Sequence, residues 1–169
     1  MENVNGVPEP VPDRPWMGVG YGISQDGDGT ANLPWSEVMA WFTTSRSYWL
    51  ATTRSDGRPH VMPVWGVVID GVLLFSTSRD SRKGRNLAER PECVIHLESG
   101  DDVLILEGIV EEFRDPLALE KYVDAYEAKY QFRPDPSDPG SSTYALRPKV
   151  GFSWREVAFE ASATRWRWR

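Results

Sequence analysis

The chain has 169 residues, with 19 Lys and Arg against 25 Asp and Glu, a formal net charge of −6. That length suits one domain, and 40% hydrophobic with 26% charged residues is ordinary globular composition, which excludes wholesale disorder. No apolar run approaches the ~18 residues of a membrane span, the acidic balance argues against nucleic acid as the main partner, and a lone cysteine excludes an internal disulfide or a thiolate metal cluster.

Met1 is followed by a polar stretch with neither a signal peptide nor an Arg-rich transit segment, so a cytoplasmic location follows by default. The composition stands out in its rings: 8 Trp, 6 Tyr and 6 Phe suit a planar ligand or an interface that needs anchors.

Residues 1–33 read as an irregular tail or wrap. Four prolines (8, 10, 12, 15) are followed by five glycines (18, 20, 22, 27, 29), and no apolar period survives. Asp26, Asp28, Thr30 and Glu37 approach calcium-loop spacing, but Ala31 stands where the sharp turn needs Gly. Residues 34–169 then read as the domain proper. Pro34 to Thr44 is a predicted helix with Trp35, Val38, Met39 and Phe42 on one face. Tyr48 to Arg54, Pro59 to Ile69 and Val72 to Thr77 are strands joined by Asp56-Gly57 and Asp70-Gly71, the pattern of an antiparallel meander. Ser81 to Arg90 is a short helix stopped by Pro91. Glu92 to Glu98 and Val103 to Arg114 are strands, and Asp115-Pro116 opens a helix carrying Leu119, Tyr122, Val123 and Tyr126 on one face. After a Pro/Gly/Ser loop, Thr143 to Trp154 and Val157 to Arg169 form a final strand pair. The fold class is mainly β (α+β): six or seven antiparallel strands with a few peripheral helices, arranged as a closed or split barrel.

Three stretches could carry chemistry. From Ser76 to Asn86, hydroxyls are mixed with Arg79, Arg82, Lys83 and Arg85 at a strand-to-helix junction, where orphan N–H groups and the helix dipole favour an anion. This is either a phosphate site or a solvated helix face. In the strand from His60 to Trp65, Pro63 marks an edge, a bulge or a docking point, and a flat ring could lie along it; the alternative is an irregular core strand with a buried Trp. Alternation places His60, Met62 and Val64 on one face, and Val61, Pro63 and Trp65 on the other. In the C-terminus, Arg165, Arg167 and Arg169 share one face and Trp166 and Trp168 the other. Such arginines suit nucleic acid, an anionic cofactor tail or a partner's carboxylates, or else pair with Glu107, Glu111 or Glu112 across strands. Cys93 falls on a core face with Ile95 and Leu97, and the only histidines, His60 and His96, lack metal-ligand spacing. With no catalytic dyad in evidence, a bound cofactor would do the hard chemistry.

The order of motifs resembles the pyridoxamine 5′-phosphate oxidase-like split-barrel superfamily. The resemblance rests on Leu50-Ala-Thr-Thr, Asp56-Gly57-Arg-Pro-His, Pro63-Val-Trp65, Leu74-Phe-Ser-Thr-Ser, then Ser81-Arg-Lys83 with Asn86-Leu87, and Pro91. The ending Thr164-Arg-Trp-Arg is similar to actinobacterial members that use the deazaflavin coenzyme F-420. The resemblance covers residues 34–169. It implies a homodimer with a flavin or deazaflavin between subunits, its ring along His60, Val61, Met62, Pro63, Val64 and Trp65. Its phosphate would be held by Ser76, Thr77, Ser78, Arg82, Lys83 and Asn86, and Trp166 would lie near the cofactor. The C-terminal His and Arg motif of true pyridoxamine phosphate oxidases is missing, so that substrate is not expected.

The expected function is therefore an oxidoreductase that binds coenzyme F-420 and moves hydride to or from a small organic molecule. The acidic tail of F-420 would call on Arg54, Arg58 and the C-terminal arginines. Two alternatives remain: an FMN-dependent oxidoreductase on the same elements, and a non-catalytic cofactor or haem carrier using His60 or His96.

Overall fold

The computed structural model describes residues 7–23 and 32–169. Asp26, Asp28 and Thr30 of the calcium-like spacing lie outside them, and no cluster of His, Cys, Asp or Glu fit to hold a metal occurs among the described residues. No helix among them is long and apolar enough to cross a membrane.

Among the described residues, nine strands and four α-helices follow in the order β1 (Val11–Asp13), α1 (Trp35–Thr44), β2 (Tyr48–Thr53), β3 (Pro59–Val64), β4 (Val67–Ile69), β5 (Val72–Ser78), α2 (Arg82–Glu89), β6 (Glu92–His96), β7 (Asp102–Glu112), α3 (Pro116–Tyr130), β8 (Ser141–Arg155), α4 (Phe159–Ser162) and β9 (Thr164–Arg167). All pairings are antiparallel. The main path runs β1-β9-β8-β7-β6-β2-β3, with β5 also on β8 and β4 on β5. Because β3 runs on through Trp65-Gly66 into β4, the circuit from β2 by way of β5, β8, β7 and β6 back to β2 closes through a covalent kink. This is the split-barrel arrangement.

Nine strands replace the predicted six or seven for two reasons. The predicted strand Pro59 to Ile69 breaks at Gly66, where an added Cβ would stand 2.8 Å from the Leu74 carbonyl oxygen. The Tyr130 hydroxyl also captures the Gly66 N–H at 2.9 Å. In addition, Val11–Asp13, in the segment read as irregular, forms an edge strand on β9. The predicted terminal strand Val157 to Arg169 is shortened as well: a 3-10 turn (Glu156–Ala158) and α4 precede β9, and Arg14 donates to the Ala163 carbonyl at 3.0 Å behind α4.

The turns follow their residues. Asp70 and Gly71 both have positive φ (50° and 80°), which is the type I′ geometry a two-residue hairpin favours. Asp115 caps α3 by accepting from the Ala118 N–H at 2.9 Å, and Ser81 caps α2 by accepting from the Gly84 N–H at 3.0 Å. One core fills the barrel, with Leu50, Leu73, Phe75, Ile95 and Leu106 under the Val38 and Phe42 face of α1. A second packs Tyr122, Val123, Tyr126 and Tyr130 of α3 onto Val67, Leu74 and Ala145. Cys93 is buried as predicted, and burial pushes its thiol up to about 12, so it is inert.

Candidate functional site

Among the described residues, β3 has a strand neighbour on one side only. The Arg54 N–H donates to the Arg58 carbonyl at 2.9 Å, and that bond sets the phase of the hairpin. In an antiparallel ladder, N–H and C=O of one residue point the same way and alternate along the strand. Residues 58, 60, 62 and 64 therefore turn their backbone toward β2, and residues 59, 61 and 63 turn theirs outward. Pro59 and Pro63 have no N–H, so the open edge offers the Val61 N–H as its lone donor among several carbonyls. Apolar side chains flank it: Val61, Met62 and Trp65 are 47%, 44% and 43% exposed.

Positive charge gathers at the start of this edge. His60 sits on β3 opposite Thr52, and Arg54 follows the end of β2. The first turn of α2 contributes Arg82 and Lys83. Burial first, and then the positive charges of Arg54, Lys83 and Arg82, hold the His60 imidazole below its ordinary range, so all three cations act on it. None of the three cations forms an ion pair among the described residues. Asp56 lies in reach of Arg54 but is held by the Arg58 fork, its closest contact at 2.8 Å, which keeps its carboxyl down at about 2. His60 Nδ1 and Arg54 Nε are buried without a hydrogen-bond partner. Unpaired cations beside orphaned polar atoms fit an absent anion.

The anchoring of α2 is explicit. The buried Asn86 donates from Nδ2 to the Thr52 hydroxyl at 2.9 Å, tying helix to strand beneath His60. Gly84 lets the helix press on the end of β5, where a Cβ would overlap the Ser78 carbonyl oxygen. The buried Thr77 hydroxyl lies 3.1 Å from the Ser81 hydroxyl, and the exposed Ser78 accepts from the Asp80 N–H at 3.2 Å.

The structure thus gathers His60, Val61, Met62, Pro63, Arg82 and Lys83 around one edge, with Thr77, Ser78 and Asn86 supporting it from behind. Val64 points into the core. Trp65 ends the edge and stacks parallel on Tyr130 at 4.6 Å. Two more predicted residues fall elsewhere. Ser76 faces α3, with its hydroxyl 2.7 Å from that of Tyr122 and 2.9 Å from that of Thr143, because alternation along β5 turns it away from Thr77. Trp166 lies in the core at 1% exposure, its Nε1 donating to Ser153 at 2.8 Å and its ring 4.9 Å from that of Trp35. Two of the three C-terminal arginines are also committed. Arg165 holds Asp13 through two bonds (2.7 and 2.8 Å), Arg167 adds one at 3.1 Å, and Glu111 and Glu112 pair with Arg147, Arg79 and Arg114 instead. Sequence reasoning missed Thr52 and Gly84, whose roles appear only once α2 is docked.

His60 should report an anion directly. Sulfate, which does not titrate near neutrality, is expected to raise the midpoint of the His60 ring resonance in an NMR titration, because an anion stabilises the imidazolium. By linkage, sulfate then binds more tightly as pH falls through that midpoint. An unmoved midpoint at saturating sulfate would show that the anion sits elsewhere.

The split barrel thus presents an open edge strand with an apolar margin and a group of cations at one end. The family model for pyridoxamine 5′-phosphate oxidase matches residues 35–155, and the chain belongs to that family, within the split-barrel superfamily that includes oxidoreductases. Among solved structures it is similar to the conserved hypothetical protein Rv2991 from Mycobacterium tuberculosis, with 25% identity and a TM-score of 0.64 over 73% of this chain and 85% of that one. It is similar in fold to an F420 reductase, with 22% identity and a TM-score of 0.55 over 66% and 93% of the two chains. A haem binding protein from Mycobacterium smegmatis likewise shares the fold, with 20% identity and a TM-score of 0.58 over 78% and 62%. Among curated proteins none matches the chain.

Proposed function

We propose that this protein is a cytoplasmic, homodimeric oxidoreductase that binds coenzyme F-420 and moves hydride to or from a small organic substrate. The observation that carries the reading is the Arg54, Arg82 and Lys83 cluster at the head of the open β3 edge. A phosphate there would take charge-assisted bonds from Arg82 and Lys83 and relieve their mutual repulsion. The ring would lie against Val61, Met62 and Trp65, with the Val61 N–H as its one backbone donor. When bound, the deazaflavin supplies the hydride chemistry. The chain's own part is to fix the ring, neutralise the phosphate and exclude water from one face.

Pairing between two copies is supported by the outer face of the sheet. The cross-strand row Pro63, Trp49, His96, Ile105 and Phe152 runs over β3, β2, β6, β7 and β8, and none of the five is fully buried. Trp49 and His96 stack there at 6.3 Å.

FMN is a second reading on the same site, favoured by Asp13. With Arg165 and Arg167 held by that carboxylate, the C-terminal cations have less to offer an acidic tail, and FMN has none.

Calorimetric titration of the purified chain with coenzyme F-420, FMN and haem decides among these, with sedimentation reporting the assembly state. F-420 binding that clearly exceeds FMN binding is the expected result. FMN binding alone moves the assignment to the second reading. Haem binding that disappears in His60→Ala or His96→Ala makes it a carrier, and binding of none removes the proposal.

A further inference from the structure

The barrel core leaves a space of about 110 Å³ at the end where Gly71 turns the β4–β5 hairpin. Trp35, Met39 and Phe42 border it from α1, and Leu73, Leu106 and Leu146 border it from β5, β7 and β8. Val7 and Pro8, in the strap ahead of β1, and Trp168, just past β9, complete its walls. Phe42 and the three leucines are buried, and Trp35, Met39 and Trp168 are half-buried. Among the described residues no charged side chain borders the space, and indole nitrogens are the only nitrogen or oxygen atoms that its side chains carry. The Trp168 nitrogen is buried without a hydrogen-bond partner. A buried water makes about three hydrogen bonds, and these side chains do not supply them. The walls also forgo the dispersion contacts that a filled space would give them.

We propose that this space is a binding site for one small uncharged ring of benzene's size. Cavities of roughly 150 Å³ walled by Leu, Ile and Phe stay dry and take up benzene or xenon. The smaller volume here limits the guest to a single unfused ring. The Trp35 and Trp168 rings meet edge to face, 5.5 Å apart and inclined at 77°, and an aromatic guest can extend that packing. No residue of β3 contributes to these walls, so the site stands apart from the cofactor reading. The walls come from α1, three strands and both ends of the chain, so the site exists only in the folded protein and a guest stabilises the fold.

The test follows the indole N–H signals of the native chain by NMR as benzene is added, with no cofactor present. The Trp35 and Trp168 signals are expected to move and that of Trp65 to stay, with half-saturation at roughly 1 mM benzene. Met39→Trp fills the space from α1, and Val7→Phe narrows it from the strap. Each should weaken binding by about tenfold or more. A denaturation curve checks that each variant is folded, and one folded variant is enough to decide. Binding that keeps its strength in a folded variant overturns the proposal. Shifts confined to Trp65 also overturn it, because the ring then sits on the β3 edge. So does the absence of any shift up to about 10 mM benzene. Failure of F-420 or FMN to bind leaves the result readable.

Discussion

Trp166→Ala is expected to lower the unfolding free energy by about 3–5 kcal/mol, measured by urea denaturation. The indole is buried at the centre of β9, wedged against Trp35 of α1, and its N–H satisfies the Ser153 hydroxyl. Removing it opens a large void and leaves that fully buried hydroxyl without its donor. A domain of this size has a total stability of about 5–15 kcal/mol, so the variant would be close to unfolding. Trp166→Phe is the informative companion, because it keeps most of the ring volume and isolates the hydroxyl, for a smaller loss of about 1–2 kcal/mol. If Trp166 instead touched the cofactor, Trp166→Phe would weaken binding with stability unchanged.

The second large effect is of the opposite kind. Replacing Arg82 and Lys83 together by Ala should cost a phosphorylated ring ligand about 3 kcal/mol, roughly a hundredfold in affinity, while leaving the denaturation midpoint level or slightly raised. Both side chains add to the positive charge that Arg54 places near His60 and form no ion pair among the described residues, so their loss relieves repulsion in the empty protein and removes attraction in the complex. Calorimetry and denaturation on one preparation separate the two terms. A drop in both would mean that the cations serve the fold, through α2, and the site would have to be sought elsewhere.

Much of this arrangement is legible locally. Asp56-Gly57 and Asp70-Gly71 announce their hairpins, and alternation correctly divides His60, Met62 and Val64 from Val61 and Pro63, just as it divides Arg165 from Trp166. What is not legible depends on partners distant in sequence. The break at Gly66 is held by Tyr130, and Asp13 reaches Arg165 across 152 positions. Alternation says that Trp166 and Arg165 face opposite ways but not which way is inward. Ser76 and Thr77 illustrate the same gap: both are hydroxyls in a promising run, and only the docking of α3 and α2 on opposite faces of β5 decides which one stands behind the cations.

The two prolines of β3 have a consequence for solubility. An unpaired strand with exposed Val61 and Met62 is a template on which another chain could add itself and begin an aggregate. Extending a sheet needs outward donors at every second residue, and Pro59 and Pro63 delete those on either side of Val61. A foreign strand therefore finds one rung where it needs three, whereas a small heterocycle needs no more than one. The edge that best admits a planar ligand is, by the same two substitutions of ring for N–H, among the edges least able to seed a fibril.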